Sequence, residues 1–348
     1  MAHTIMSVAK EVGVSKSTVS LVANRSPKVR EETRQKVLNA FKKLNYHPNA
    51  AAKALVSQKN HSIGIGFYDV SYITEPVFAN ILAGVIEGAN QHEYSIILCT
   101  TTESQQTDEE AYFMKLVNEK RIDGLILYDS VLSDQVIRQM KERQFPMVLV
   151  ERTLPQADVP AVLVDNEDGM RRLTEHFIKL GHRRIGYIAG HSGFTNVVEK
   201  IQGYHAALDR HGVTSDMHLV KRRSADDGAK QLRQFTEELL ATSPRPTAII
   251  IDNDRYILDL LHAIQECGLS VPKDIAVAGY GDAEPIVSSI KPALTTVKVP
   301  FRDMGREAVK LLLKLTNKQE IEHPQVRLKG KLIVRDSCEA LQEGLATA

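Results

Sequence analysis

No apolar run in the 348-residue chain approaches the ~20 residues that a membrane-spanning helix needs. The amino terminus also lacks the order of charged, apolar and small residues that marks an export signal, so the expectation is a cytoplasmic protein with no membrane partner. Three cysteines, Cys99, Cys267 and Cys338, are odd in number, far apart and without ligand spacing. They read as buried structural thiols rather than a disulfide or a metal site. Catalytic signatures are missing too: there is no GxxxxGK[ST] phosphate loop, no His-Glu-x-x-His, no paired CxxC and no GxSxG. Gly64-Ile65-Gly66 lacks the third glycine of a dinucleotide fingerprint, and His176 and His182 have no partners at ligand spacing. No enzyme, cofactor or metal centre is expected.

Net charge is scarce as well, since 44 Lys and Arg face 43 Asp and Glu. That balance conceals a division. Residues 1–60 hold eleven basic against three acidic residues, a net of +8, and the remainder holds 33 against 40, a net of −7. A basic head on an acidic body suits neutralisation of nucleic-acid phosphates and implies salt-dependent binding.

The head centres on Gly13-Val14-Ser15-Lys16-Ser17-Thr18-Val19-Ser20-Leu21-Val22. At helical spacing Val19 and Val22 share one face, while Lys16, Ser17, Ser20 and Leu21 point elsewhere and cannot all be core. Upstream, Met6, Val8, Ala9 and Val12 suit a first short helix with Thr4 as N-cap. Gly13 can take positive φ, and Ser15 is a second N-cap candidate. The spacing predicts helix, tight turn and exposed second helix. Such pairs also occur in proteins that never touch DNA, and the charge of the head favours the DNA-reading alternative. A third helix, Glu31 to Leu44, supplies Val37, Phe41 and Leu44 to the core, with Glu31 and Glu32 at the positive end of its dipole offsetting a weak cap at Arg30. Asn49 to Leu55 is alanine-rich and helix-prone but short, which leaves a marginal helix or a plain linker.

The body alternates short apolar runs with helical patterns. Strands are expected at Ile63–Phe67, Ser95–Cys99, Gly124–Tyr128, Met147–Val150, Ala161–Val164, Arg184–Gly190, Thr247–Asp252 and Ile275–Gly279. Helices are expected at Val77–Ala89, Asp134–Arg143, Met170–Leu180, Val197–His211, Leu258–Cys267 and Met304–Leu315. Repeated strand and helix means parallel sheets covered on both faces, and a second series starting near Arg184 implies two similar subdomains. Ligands bind such sheets at the carboxyl ends of the strands, so two facing sheets make a cleft.

The run Val8-Ala9, Gly13-Val14-Ser15, Thr18-Val19-Ser20, Asn24, Val29, Glu32-Thr33-Arg34, Val37 and Leu44-Asn45-Tyr46-His47-Pro48-Asn49 resembles the head of the LacI/GalR family of bacterial transcription regulators. Further matches, among them Gly181-His182-Arg183-Arg184-Ile185, Asn253-Asp254 and Val271-Pro272-Lys273-Asp274, extend the resemblance to about residue 335. It implies an all-α helix-turn-helix head with a hinge helix, joined to an α/β body of two Rossmann-like subdomains like a periplasmic binding protein. The implied boundaries are 1–48 for the head, 49–60 for hinge and linker, 61–163 plus 295–323 for the first subdomain and 164–294 plus 324–340 for the second. The implied function is sequence-specific binding of a palindromic double-stranded DNA operator by a homodimer, as a repressor of carbohydrate-related genes under a small-molecule effector. The tail Arg335 to Ala348 has no leucine heptad, so dimers and not coiled-coil tetramers are expected.

Residue by residue, the resemblance places Lys16, Ser17 and Leu21 on bases in the major groove. Thr4, Ser15, Thr18, Ser20 and Asn24 hold phosphates or the helix's register. Asn49, Ala52, Lys53 and Leu55 belong to the minor-groove hinge, Leu55 as the apolar wedge. The implied effector contacts are Asp69, Glu151, Lys200, Arg223, Asn253, Gly281 and Asp282. Several depart from the family pattern. Lys200 replaces an arginine, Gly281 an aspartate, Val299 a polar residue and Arg223 an aromatic one. Losing a carboxylate and adding Arg223 implies a more positive cleft and an anionic effector such as a sugar acid or sugar phosphate. A neutral sugar with Arg223 facing solvent, or a protein corepressor in place of any tight small molecule, are the alternatives; a solute-binding protein or an enzyme is disfavoured.

Overall fold

The computed structural model describes residues 4–23, 26–46, 59–67, 73–99, 109–128, 132–154, 157–190, 195–224 and 228–340. Two compact units divide the chain, Met1–Ser62 with Lys115–Asp123, and Ile63–Met114 with Gly124–Ala348.

In the first unit, helices α1 (Ile5–Val12), α2 (Lys16–Ala23) and α3 (Glu31–Lys43) close on Val8, Val19, Val22, Val37 and Ala40. Thr4 caps α1 in a reciprocal box with Ser7, and Gly13 ends it at φ 71°, a left-handed conformation that glycine adopts without a Cβ penalty. Ser15 Oγ accepts from the Thr18 amide at 3.1 Å and so starts α2. Arg30 offers α3 no side-chain cap, and Glu31 and Glu32 occupy its first turn, as the sequence leads one to expect. Farther along, the Asn60 and His61 amides both donate to the Asp123 carboxylate at 2.8 Å. The hinge residues Asn49, Ala52, Lys53 and Leu55, with Asn24 and Asp69, lie outside the described residues.

The chain from Ser62 onward forms β1 (Ser62–Gly66), α4 (Pro76–Gln91), β2 (Ser95–Cys99), α5 (Glu109–Asn118, its end from Lys115 counted with the first unit), β3 (Gly124–Tyr128), α6 (Asp134–Glu142), β4 (Met147–Val150), β5 (Ala161–Val164) and α7 (Asn166–Lys179). It continues with β6 (Ile185–Ala189), α8 (Thr195–Arg210), β7 (Val220–Arg222), α9 (Gly228–Leu240), β8 (Ala248–Ile251), α10 (Ile257–Glu266), β9 (Ala276–Gly281), α11 (Ile286–Ser289), β10 (Thr295–Lys298), α12 (Phe301–Thr316), β11 (Gln325–Leu328) and β12 (Lys331–Ile333). The strands form two sheets, ordered β2-β1-β3-β4-β5-β11 and β7-β6-β8-β9-β10-β12. Both follow one doubly wound order whose switch points fall between β1 and β3 and between β6 and β8. Central strands such as Gly124–Tyr128 and Ile185–Ala189 are buried throughout, as strands covered on both faces must be.

The second crossing between subdomains differs from expectation. Thr295–Lys298 pairs in parallel with β9 in the second sheet, and only α12 returns to the first, so the crossing follows Lys298 rather than the expected boundary at residue 294. Gln325–Leu328 pairs with β5 in the first sheet, which moves the last crossing to Lys329-Gly330. These strands are three or four residues long with half-polar faces, and hydrogen-bond register rather than an apolar run decides where they belong. Cys267 also differs: Cys99 is buried and Cys338 partly so, but Cys267 follows the last turn of α10 and is exposed.

Among the described residues each subdomain has a helix pair in backbone contact. A Cβ on Gly305 of α12 would overlap the Ile81 carbonyl of α4, and one on Gly84 would overlap the Arg302 carbonyl, while in the second subdomain a Cβ on Gly203 of α8 would overlap the Glu167 carbonyl of α7. Because backbone cannot yield as a side-chain tip can, Gly305→Ala should force α4 and α12 apart and destabilise by about 1–3 kcal/mol, read as a lowered urea midpoint. An unchanged midpoint would show that the helices separate freely.

Candidate functional site

Two surfaces carry the residues singled out by sequence. In the three-helix unit, Val19 and Val22 of α2 are buried, whereas Lys16 and Ser17 are exposed and Leu21 retains 38% of its surface. Ser20 and Thr18 are half-buried. Thr18 Oγ1 lies 2.9 Å from Ser15 Oγ, so the observed bonds of this pair are those of a cap, and Thr4 is likewise engaged with Ser7. The capped end sets Lys16 and Ser17 in the first turn, where the helix dipole favours an anion. The result is a polar helix face held outward by an apolar one.

In the second unit, a cavity of about 150 Å³ lies at the carboxyl ends of both sheets. Tyr128 closes β3, Glu151 follows β4 and Asn166 opens α7; from the other sheet come Asp252 and Asn253 after β8, then Tyr280 and Gly281 at the end of β9. Of the effector residues read from sequence, Glu151, Lys200, Asn253 and Gly281 line this cavity, as does Val299. Asp282 does not. Its carboxylate pairs with Arg335 at 2.7 Å and Lys298 at 3.1 Å and is 1% exposed, so that it fastens the end of β9 outside the cavity lining. Arg223 is 8% exposed and stacks on Tyr256, beyond the described lining, so it does not face solvent.

The electrostatics differ from the positive cleft expected. Lys200 Nζ lies 3.4 Å from Asp252 Oδ1 and 4.4 Å from the centre of the Tyr280 ring. The same Asp252 oxygen accepts from the Tyr187 hydroxyl at 2.6 Å, and burial with that carboxylate holds the hydroxyl well above the usual tyrosine range. Arg255 pairs with Glu75 at 2.9 Å. Asn196 donates to Glu151 at 3.4 Å. The described lining thus holds Glu75, Glu151 and Asp252 against Lys200 and Arg255. Aligning substituted residues overlooks Asp252, whose charge offsets Lys200. Its signal was nonetheless present as the first polar residue after the run Ala248–Ile251, whereas Glu75 and Asn196 sit in segments with no such mark.

Behind this wall Asp254 is wholly buried. Its Oδ2 accepts from the Thr296 hydroxyl at 2.8 Å and the Asp282 amide at 2.6 Å, while Oδ1 is buried without a hydrogen bond. Burial pushes its carboxyl up to about 6, against the opposing effect of those hydrogen bonds.

A capped helix with an outward polar face and, in the same chain, a cleft at the carboxyl ends of two sheets are the parts expected of a DNA-binding regulator. The pattern of bacterial regulatory proteins of the lacI family matches residues 4–49, and that of a periplasmic binding protein-like domain matches residues 174–338. Catabolite control protein A of Priestia megaterium is 31% identical over 97% of this chain and 99% of its own. The lac repressor dimer bound to operator and the anti-inducer ONPF superposes with a TM-score of 0.79 at 29% identity, over 98% of this chain and 100% of that one. The regulator CelR in complex with cellobiose gives 0.72 at 30%, over 96% and 99%. The chain belongs to the lacI family of bacterial regulatory proteins, and it is a DNA-binding transcriptional regulator.

Two outcomes follow for the cleft. Lys200→Met leaves Asp252 buried without its cation and should destabilise by about 3 kcal/mol, with Asp252→Asn in that background recovering most of the loss; independent, additive effects would show that the two do not pair. Asp254 has a folded pKa above its unfolded one, so its contribution to stability is present below pH ~4 and lost as pH rises through about 6. The stability difference between wild type and Asp254→Asn should therefore change by roughly 3 kcal/mol between pH 4 and 6, measured by urea titration. A difference constant with pH would place the carboxyl at its ordinary value.

Proposed function

We propose that this regulator is a homodimeric repressor of carbohydrate-related genes that reads a palindromic operator and is controlled by a small polyhydroxylated molecule in the cleft. The observation that carries the DNA reading is the exposed polar face of α2 above buried Val19 and Val22, on a head of net charge +8. Lys16 donates to guanine O6 or N7, Leu21 meets a thymine methyl, and Ser17 contacts a base edge between them. Ser15, Thr18 and Thr4 fix the helix starts, with Ser20 and Asn24 toward phosphates. Asn49, Ala52, Lys53 and Leu55 enter the minor groove as the hinge.

The effector reading is supported by the mixed lining of the cavity, in which Glu151 accepts, Asn253 and Asn166 can do either, and Val299 and Phe301 are apolar. A cavity of about 150 Å³ holds several waters and is on the scale of one sugar ring. The relative solved with cellobiose and the lac repressor on its operator agree with these two roles.

The test is selection of operator sequences by the purified protein and by Lys16→Ala. A palindromic consensus should emerge, and Lys16→Ala should lose about 1–3 kcal/mol of discrimination at one position per half-site. A uniform loss at all positions would make Lys16 a phosphate contact, and no consensus at all would remove the operator reading.

A further inference from the structure

Arg223 is a buried cation at the rim of the second sheet. It follows β7 at the carboxyl edge of the second sheet, where its amide donates to the Ala189 carbonyl at the end of β6. The residue is 8% exposed, its guanidinium carbon lies 4.0 Å from the centre of the Tyr256 ring, and its Nε is buried without a hydrogen bond. Among the described residues no carboxylate forms an ion pair with it. The acids of the adjoining wall are engaged elsewhere, Asp252 with Lys200 and Tyr187, and Glu75 with Arg255. An aromatic face offsets only part of the desolvation of a guanidinium, and a planar fork of five donors matches an oxyanion.

Position agrees with this chemistry. Arg255, which lines the cavity, has its guanidinium carbon 4.8 Å from the centre of the same Tyr256 ring. Two guanidinium groups therefore meet one tyrosine beside the cavity, and only one of them has a carboxylate partner among the described residues. The Arg223 backbone is also tied to the end of β6, the strand that carries Tyr187 and its hydrogen bond to Asp252. Lys200, in contrast, already has a carboxylate partner in Asp252.

We propose that Arg223, beside Arg255, anchors an oxyanion carried by the effector, so that the ligand class is a sugar carboxylate or sugar phosphate; this rests on the reading of the cleft as the effector site. The ring of the ligand occupies the cavity between Glu151 and Asn253, and its anionic substituent reaches past Asn253 to the guanidinium pair.

Isothermal titration of the full-length protein tests this, with galacturonate, glucuronate and gluconate as carboxylates, glucose phosphate as the phosphate, and galactose and glucose as neutral parents. At least one anionic compound should bind ten times or more tighter than its neutral parent, with a preference that shrinks as salt is raised. Which anionic arm responds distinguishes carboxylate from phosphate. Arg223→Met should weaken that compound by roughly 10–100-fold and leave the neutral parent within about twofold, with Arg223→Lys in between. Equal affinity of wild type for an anionic sugar and its parent overturns the inference and leaves the effector reading standing. That comparison needs no variant, so it holds even if Arg223→Met unfolds. Equal loss of both compounds in a folded Arg223→Met overturns it as well, by making Arg223 structural. No binding by any compound, from a protein that still binds its operator, removes the effector reading along with the inference.

Discussion

All three crossings between the two sheets are made at carboxyl edges, and the geometry of the cleft depends on that constraint. The first leaves β5 at Val164 and enters α7 at Asn166, and the second leaves β10 at Lys298 and enters α12 at Phe301. The third leaves β11, parallel to β5, and enters β12 opposite Lys298 at the carboxyl end of β10. A strand entering from that edge must run backward, which accounts for β12 being antiparallel in a sheet whose other pairings are parallel. Short crossings hold the two carboxyl edges together. Strand-end residues from both sheets are thereby brought around one cavity, and few covalent connections oppose a change in the setting of the lobes.

Within that frame the charges are arranged as local pairs. Asp252 serves Lys200 and Tyr187 together, an arrangement nine-tenths buried in which removal of any member leaves another unsatisfied. Other pairs span the cleft: Glu75 with Arg255, and Glu199 of α8 with Arg327 of β11 at 2.9 Å. The arginines of these spanning pairs are about half exposed, so each contributes little to stability by itself. Their partners sit on opposite lobes, however, so they respond to the lobes' setting more than to the stability of either lobe.

The sequence was most legible where periodicity and local chemistry agree. Thr4, Gly13 and Ser15 are punctuation with a mechanism, and the helices they delimit are present. Long apolar runs such as Gly124–Tyr128 announced buried central strands. The edge strands β7, β11 and β12 did not announce themselves, since exposed edges mix polar and apolar residues and are defined by whom they pair with. In the cleft, residues at strand ends could be anticipated by position, and Glu151, Lys200, Asn253 and Gly281 do meet there. Their charge balance could not. It depends on Asp252 facing Lys200 and Glu75 facing Arg255, contacts between residues 52 and 180 positions apart that no local pattern encodes.

A ligand changes an equilibrium only by its difference in affinity between two states, and the placement of residues around this cavity bears on where such a difference arises. On the proposed reading, a sugar ring held by Glu151 from one lobe and Asn253 from the other adds contacts that exist only when the lobes are set as they are here. An anionic substituent adds a second effect, because it competes with Glu75 for Arg255 while satisfying Arg223. Neutral and anionic ligands of one size would then act differently on the spanning pairs, the first reinforcing them and the second exchanging one of them. The identity of the group that meets Arg223 would decide how strongly occupancy of the cleft is felt by the lobes, as well as which molecule is bound.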